Sequence, residues 1–171
     1  LDIDIKVLIT NKDNAGCIKR AESVKIPYKI IRGKDFLKKE LFELEIVNTL
    51  INYDVELVVM AGWMKIVTPF FINKFKNKII NIHPSLLPAH KGGSAIKDSL
   101  VNGSKITGCS VHFVEEEVDG GSLIMQAALS IRDDDDIESL SKRIHMLEHK
   151  ILPYSISQAG FLIRSNFMEN Y

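Results

Sequence analysis

Asn81 and His83 are the residues of this sequence whose types and spacing most directly suggest chemistry. They follow a short β-type run, Lys78-Ile79-Ile80, and one residue separates them, so at a strand end their side chains project to the same side. An amide donor and a titratable imidazole can together bind a developing negative charge and move a proton. The same residues could instead belong to a turn stiffened by Pro84.

Asp119 is the acid that could complete such a site. It lies between Val118 and the pair Gly120-Gly121, in a turn cluster that begins with consecutive glutamates at positions 115–117. Close to His83, its carboxylate would favour the protonated imidazole and orient the ring. The two glycines either let backbone amides approach a ligand or simply form the turn, and the glutamates are typical of a solvated surface.

Alternating strands and helices are predicted to position these residues. Apolar and β-branched runs predict strands at residues 3–10, 28–31, 55–61, 78–82, 105–114 and 123–131. Helical spacing predicts helices at residues 15–23, 36–50, 70–75 and 94–101, and a last one opened by 133–136. Asp35 is the expected N-cap of the second helix, and Pro153 is expected to kink or end the last. This order implies an α/β fold with a mostly parallel sheet, whose nearly all-apolar strand 55–61 is central and buried on both faces.

Size and charge narrow the class of protein. With 171 residues the chain fits a single domain over residues 1–171, and its net charge of +0 gives no nucleic-acid or membrane-surface footprint. Cys17 and Cys109 imply no disulfide framework and are expected to pack as small hydrophobes. No transmembrane span or signal peptide is visible in the sequence. We therefore expect a cytoplasmic protein with small-molecule partners, no nucleic acid and no membrane, as a monomer or homodimer.

A second histidine pattern offers a different function. His145-Met-Leu-Glu148-His149 matches the H-x-x-E-H pattern of zinc peptidases on a predicted helix. The pattern is short and no third ligand is indicated, so His145 and Glu148 could instead lie on the solvated or ligand-facing side of that helix. The acidic run 133–136 is expected to cap the helix rather than bind a metal. His112 is expected to be a hydrogen-bonded core histidine.

Several motifs taken together are more specific than any one of them. They are Val58-Val-Met-Ala-Gly-Trp-Met-Lys-Ile-Val67, Asn81-Ile-His83-Pro-Ser-Leu-Leu-Pro88, Ile106-Thr-Gly-Cys-Ser-Val-His-Phe-Val114, Val118-Asp-Gly-Gly121 and the helix carrying Glu148-His149. Between about residues 5 and 156 the chain thereby resembles the glycinamide ribonucleotide formyltransferases of purine biosynthesis. The resemblance implies a three-layer Rossmann-like formyltransferase fold. It also implies formyl transfer from the co-substrate 10-formyltetrahydrofolate to the amine of glycinamide ribonucleotide, without a metal.

The resemblance also implies roles for individual residues. Asn81, His83 and Asp119 match the family's catalytic triad, in which the first two stabilise a tetrahedral oxyanion and the acid assists proton transfer. The residues implied to contact the folate are Lys39, Met64, Lys65, Ile66, Val67, Asn81, Glu115, Glu116, Glu117, Val118 and Asp119. The substrate is implied to be bound by Glu148, which would hydrogen-bond its ribose hydroxyls, and by His145 and Met64.

The chain departs from this family at its beginning. Family members open with a strand and a Gly-rich turn whose amides hold the substrate phosphate, and residues 1–20 contain no match. We therefore expect that the first βα unit is missing before Leu1, which would bare a sheet edge.

Three related alternatives remain open. The related hydrolase, which releases formate from the same folate, tends to have a histidine in place of Pro84 and a glutamate in place of Gly120. Methionyl-tRNA formyltransferase shares the Ser-Leu-Leu-Pro motif but carries a further tRNA-binding domain. A non-catalytic folate-binding remnant would not need Asn81, His83 and Asp119 together.

Overall fold

Strands alternate with helices along the chain, and the predicted α/β class is confirmed. The computed structural model describes residues 3–165. Their contacts divide them into a first unit, residues 3–56 with Val67–Lys74, and a second unit, Leu57–Ile66 with residues 75–165. A single domain over residues 1–171 stays a prediction. No helix within the described residues is long and apolar enough to cross a membrane.

The first unit is built on a short parallel sheet. Its elements are β1 (Leu8–Thr10), α1 (Gly16–Ser23), β2 (Tyr28–Ile30), α2 (Lys39–Asn52) and α3 (Pro69–Lys74). β1 pairs in parallel with β2. The observed strand β1 is shorter than the predicted strand 3–10, because its partner β2 spans only three residues.

The start of α2 differs from the prediction. Asp35 does not cap this helix, because it lies in a separate 3-10 turn, Gly33–Asp35. The backbone is extended at Phe36 and again at Lys38, so the helix begins only at Lys39. Leu37, which lies inside the predicted helix 36–50, is almost fully exposed.

A buried acid joins α2 to α3. The carboxylate of Glu43 accepts hydrogen bonds from the Thr68 amide, at 3.0 Å, and from the Thr68 hydroxyl. These bonds compensate the burial of its charge and satisfy an amide just before α3. Lys39 extends its ammonium group to 3.9 Å from the same carboxylate.

The second unit contains a four-stranded mixed sheet. Its elements are β3 (Val58–Met60), β4 (Ile79–His83), α4 (Ala95–Val101), β5 (Ile106–Phe113), β6 (Leu123–Ser130) and α5 (Ile137–Arg164). The strand order is β3-β4-β5-β6, with β3 parallel to β4 and the other two pairs antiparallel. Among residues 3–165, parallel pairing is thus limited to β1–β2 and β3–β4. The pair β5–β6 is antiparallel because a short turn joins the strands without a crossover helix.

The position of β3 corrects a second expectation. Within residues 3–165 it pairs only with β4, so it is an edge of its sheet rather than a central strand. Its residues are accordingly half-buried. An apolar run reports that a strand meets other apolar surfaces, but it does not report how many strands flank it.

The core of the second unit lies between the sheet and α5. Its buried members are Ile80, Ile82, Cys109, Val111, Phe113, Leu140, Ile144, Ile151 and Ala159. Asp136 caps α5, because its side chain accepts from the Ser139 amide while the Ser139 hydroxyl accepts from the Asp136 amide. Pro153 does not end the helix, which continues to Arg164. The buried stripe continues past the proline to Ala159, and its packing compensates for the lost backbone hydrogen bond.

Candidate active site

The end of β4 presents Asn81 and His83 on one face of the sheet. Asn81 pairs with His112 of β5, and His83 pairs with Ser110. The intervening Ile82 belongs to the core under α5. Because side chains alternate along a strand, the polar residues project from the opposite face, as the spacing of Asn81 and His83 predicts.

Asp119 reaches this face from the loop between β5 and β6. Its Oδ2 lies 3.4 Å from His83 Nδ1, and its Oδ1 lies 3.5 Å from His112 Nε2. The Gly92 amide donates a hydrogen bond to Oδ2 at 2.8 Å. Asp119 adopts a φ of +52°, a conformation that non-glycine residues rarely adopt. These contacts hold it there, so the structure brings together the three residues that the sequence proposes as a triad.

Each ring nitrogen of His83 faces an oxygen atom. Nε2 lies 2.8 Å from the carbonyl oxygen of His90, which can only accept, so Nε2 carries a proton. Nδ1 faces the Asp119 carboxylate. An imidazole satisfies two acceptors only in its doubly protonated, cationic form. The 3.4 Å between Nδ1 and the Asp119 carboxylate exceeds a normal hydrogen-bond length, so the Nε2 bond is the one that fixes the ring.

His112 is the buried, hydrogen-bonded histidine that the sequence predicts, but the sequence did not place it beside Asn81 and Asp119. Its Nδ1 donates to the Phe113 carbonyl at 2.7 Å, and its Nε2 lies 3.3 Å from Asn81 Nδ2. Burial lowers the pKa of His112, outweighing the opposite effect of Asp119. The neutral ring therefore accepts from the Asn81 amide and orients it. The available signal was the β5 alternation, which places His112 and Ser110 on one face.

Stability at acid pH tests this assignment of His112. Since its folded-state pKa lies below the ordinary 6.5, the unfolded state binds more protons as pH falls below 6.5, and folding is then disfavoured. We expect acidification from pH 7.5 to 5.5 to lower the stability of the native chain more than that of His112→Gln. Urea denaturation at both pH values measures the difference. Equal losses in the two proteins would contradict a neutral, buried His112.

The acidic loop residues before Asp119 are exposed. Glu117 forms an ion pair with Lys91 at 2.7 Å, which lowers the pKa of the glutamate, and Val118 is partly exposed. The side chains of Glu115 and Glu116 also face solvent. Gly120, which follows Asp119, is constrained by close packing, because a Cβ at this position would lie 2.7 Å from the Glu117 Cβ. The folate contacts implied for this loop stay predictions.

The other implied folate contacts are distributed over both units. Met64 and Ile66 are exposed apolar side chains, and Lys65 is exposed. Met64 also lies close to Gly93, with its Cε 3.9 Å from where a Cβ would stand. Val67 and Lys39 belong to the first unit. For all of these residues the role in folate binding stays a prediction.

Glu148 approaches the sheet from the α5 side. Burial raises its pKa to about 7. Burial, with a smaller contribution from Glu148, raises the pKa of the Cys109 thiol to about 12. Cys109 belongs to the core that α5 covers, and the electrostatic effect of Glu148 on its thiol shows that the two side chains lie near each other. His145 and His149 are exposed, and within residues 3–165 no three His, Cys, Asp or Glu side chains are arranged to hold a metal ion.

Replacing Glu148 with glutamine is expected to stabilise the fold at alkaline pH. Its folded-state pKa of about 7 lies above the ordinary 4.5, so the folded state binds more protons between these values and stability falls as pH rises through them. We expect Glu148→Gln to gain about 2 kcal/mol over the native chain at pH 8 and almost nothing at pH 4. Denaturant titration at both pH values checks this. The exposed Glu138→Gln on the same helix is the control, and a pH-independent gain for Glu148→Gln would refute the burial argument.

Comparisons with known proteins connect this geometry to a family. A family model described as "Formyl transferase" matches residues 1–156. The trifunctional purine biosynthetic protein adenosine-3 of Chironomus tentans is 43% identical over 153 residues, 90% of this chain and 11% of that protein. This chain therefore spans about a tenth of the length of that trifunctional relative.

Shorter relatives match over most of their length. Phosphoribosylglycinamide formyltransferase of Bacillus subtilis (strain 168) is 39% identical over 157 residues, 92% of this chain and 80% of the relative. The crystal structure of phosphoribosylglycinamide formyltransferase from Bacillus halodurans superposes with a TM-score of 0.87 at 35% identity, covering 95% of this chain and 82% of that one. These matches confirm the predicted Rossmann-like formyltransferase fold.

Proposed function

Because the chain belongs to the formyl transferase family, we propose that it transfers a formyl group from 10-formyltetrahydrofolate to the amine of glycinamide ribonucleotide, in purine biosynthesis. One observation carries the proposal: the Asp119 carboxylate lies within 3.5 Å of the nitrogens of two histidines, beside an asparagine amide. The names of the Bacillus relatives support the substrate. The substrates are soluble metabolites, so we place the reaction in the cytoplasm.

Asn81 supplies a fixed donor to the oxyanion. Attack of an amine on a formyl carbon turns the carbonyl oxygen into a tetrahedral oxyanion, which needs hydrogen-bond donors aimed at it. The Asn81 amide has two hydrogens, and one is given to His112 Nε2. The other remains for the substrate. His112 thereby holds Asn81 in place before the reaction, so no reorganisation is needed when the charge develops.

His83 and Asp119 supply charge and proton transfer. The imidazolium of His83 is anchored at Nε2 by the His90 carbonyl, which leaves the loosely held Nδ1–H to stabilise the oxyanion. Asp119 keeps this ring protonated and accepts the proton that the attacking amine must lose, directly or through water. The group transfer is balanced, since the amine gains the formyl group and the folate nitrogen takes up a proton.

Substrate binding is proposed for the remaining residues. The exposed Met64, Lys65 and Ile66, with Val67, would line the folate pocket, and the backbone of residues 115–119 would contact the pterin ring. Lys39 would contact the folate tail. Glu148 would accept hydrogen bonds from the ribose hydroxyls, with His145 one helical turn before it. The phosphate-binding loop and the oligomeric state, monomer or homodimer, stay predictions.

The loop after β5 supports the transferase over the related hydrolase. The resemblance predicts a glutamate in place of Gly120 in that hydrolase. In this chain a Cβ at Gly120 would lie too close to the Cβ of Glu117, which is not a flexible end of that side chain. The loop would therefore have to change its backbone to accommodate a glutamate at this position. Pro84 likewise stands where the hydrolase tends to have a histidine.

Formyl transfer from 10-formyltetrahydrofolate, assayed with and without glycinamide ribonucleotide, tests the proposal. The assay is run on this chain and on one extended at its N-terminus. Turnover that requires the amine is the expected result. Formate release without the amine would indicate the hydrolase, and inactivity of both chains would indicate a folate-binding remnant.

A further inference from the structure

We infer that Ser110 on β5 and Gln126 on β6 are positioning residues for the reaction, because together they fix the loop of residues 84–92 that orients His83 and Asp119. This inference rests on the proposed function for its kinetic consequence. Its structural part concerns the orientation of His83 and can be measured without substrate.

The loop of residues 84–92 orients two site residues through its backbone. Its His90 carbonyl accepts from His83 Nε2 at 2.8 Å, and its Gly92 amide donates to Asp119 Oδ2 at 2.8 Å. Neither backbone group lies in a strand or helix. The geometry of the cluster therefore depends on what holds this irregular segment in place.

Ser110 binds the loop with its complete hydrogen-bonding capacity. Its hydroxyl donates to the Ser85 carbonyl at 2.6 Å and accepts from the Leu87 amide at 3.0 Å. It also accepts from Gln126 Nε2 at 2.9 Å. A hydroxyl has one donor and two acceptor sites, so all three are used, and the residue is fully buried.

Gln126 closes the same network from the neighbouring strand. Its Nε2 donates both to Ser110 Oγ and to the Leu87 carbonyl, at 2.9 Å and 3.0 Å. Both polar backbone groups of Leu87 are thereby bound to side chains of the sheet. A hydrogen-bond network anchored on a fully buried hydroxyl rigidifies the segment that it holds, and a small displacement of a catalytic group can lower a rate strongly.

Replacing either residue is expected to misplace His83 rather than to weaken substrate binding. We expect Ser110→Ala and Gln126→Ala each to lower kcat about tenfold while the KM of both substrates changes by less than about twofold. The matched control is Ser155→Ala, which removes an equally buried serine hydroxyl that bonds only within α5. Ser110→Thr, which keeps the hydroxyl, is expected to retain most of the activity.

The NMR signals of the His83 ring N–H groups distinguish a misplaced ring from a general loss of stability, because the latter would leave them unchanged below the melting temperature. In the native chain Nε2–H is buried and bonded, so its NMR signal is expected to be visible and to exchange slowly. It should broaden or exchange faster in Ser110→Ala and in Gln126→Ala, but not in Ser155→Ala, all recorded well below the melting temperatures.

Two results would overturn the inference. Native-like His83 signals in both alanine variants would show that the network does not position the ring. A kcat equal to that of Ser155→Ala would show that such positioning does not matter for the reaction. Absence of formyl transfer in both this chain and its N-terminally extended form would instead refute the proposed function, while the His83 signals would still report the positioning.

Discussion

Replacement of His83 with alanine is expected to lower the kcat of formyl transfer by about a hundredfold or more. In the proposed mechanism the His83 ring, set between the His90 carbonyl and the Asp119 carboxylate, supplies the positive charge of the cluster. Alanine removes the proposed positive charge and donor to the oxyanion, and it removes one of the partners of the Asp119 carboxylate. The loss should fall on kcat rather than on KM, because the oxyanion exists only in the transition state.

Steady-state kinetics of the purified variant measure this loss, with an exposed histidine as the matched control. His149→Ala removes a solvent-facing imidazole on α5 and is expected to keep kcat within about twofold, as surface substitutions usually do. If His83→Ala turned over at a rate close to that of the native chain, the proposed role of His83 would be wrong. A rise in KM at unchanged kcat would show that His83 binds substrate but does not stabilise the transition state.

The strand that carries the site was predictable because its signals are local. A β-type run that ends in Asn-x-His-Pro fixes both where β4 stops and which face Asn81 and His83 share, since alternation has a period of two. The capped start of α5 was equally readable, because Asp136 and Ser139 have the spacing and side chains of a reciprocal cap. Such features need no information about distant parts of the chain.

The remaining parts of the site depend on contacts between distant residues. That Asp119 meets both histidines requires the β4–β5 register and a left-handed residue in the β5–β6 loop, neither of which a local pattern specifies. His112 looked like a core histidine, and it is buried; only its pairing opposite Asn81 gives it a role. The edge position of β3 was missed for the same reason, and the sequence left open whether Pro153 ends α5, since tertiary packing overrides local preference.

Replacement of Gly121 with alanine is expected to destabilise the fold by more than about 3 kcal/mol and to disturb the loop that holds Asp119. A Cβ at this position would overlap the carbonyl oxygen of Phe113 and would lie 2.8 Å from the carbonyl carbon of the same residue. Phe113 is held in β5, and its amide already bonds the Ser122 carbonyl at 2.9 Å, so the strand cannot give way. The loop must move instead, and Asp119 moves with it.

Gly160 provides the matched control for this substitution. It lies within α5, and a Cβ there would meet nothing within 4 Å, so Gly160→Ala should stabilise the chain by up to about 1 kcal/mol through helix propensity. If the close approach at Gly121 is the cause, urea denaturation should show a lower free energy of unfolding for Gly121→Ala and a higher one for Gly160→Ala than for the native chain. If Gly121→Ala were as stable as the native chain and equally active, the loop would be free to shift, and the fixed placement of Asp119 would no longer explain the site.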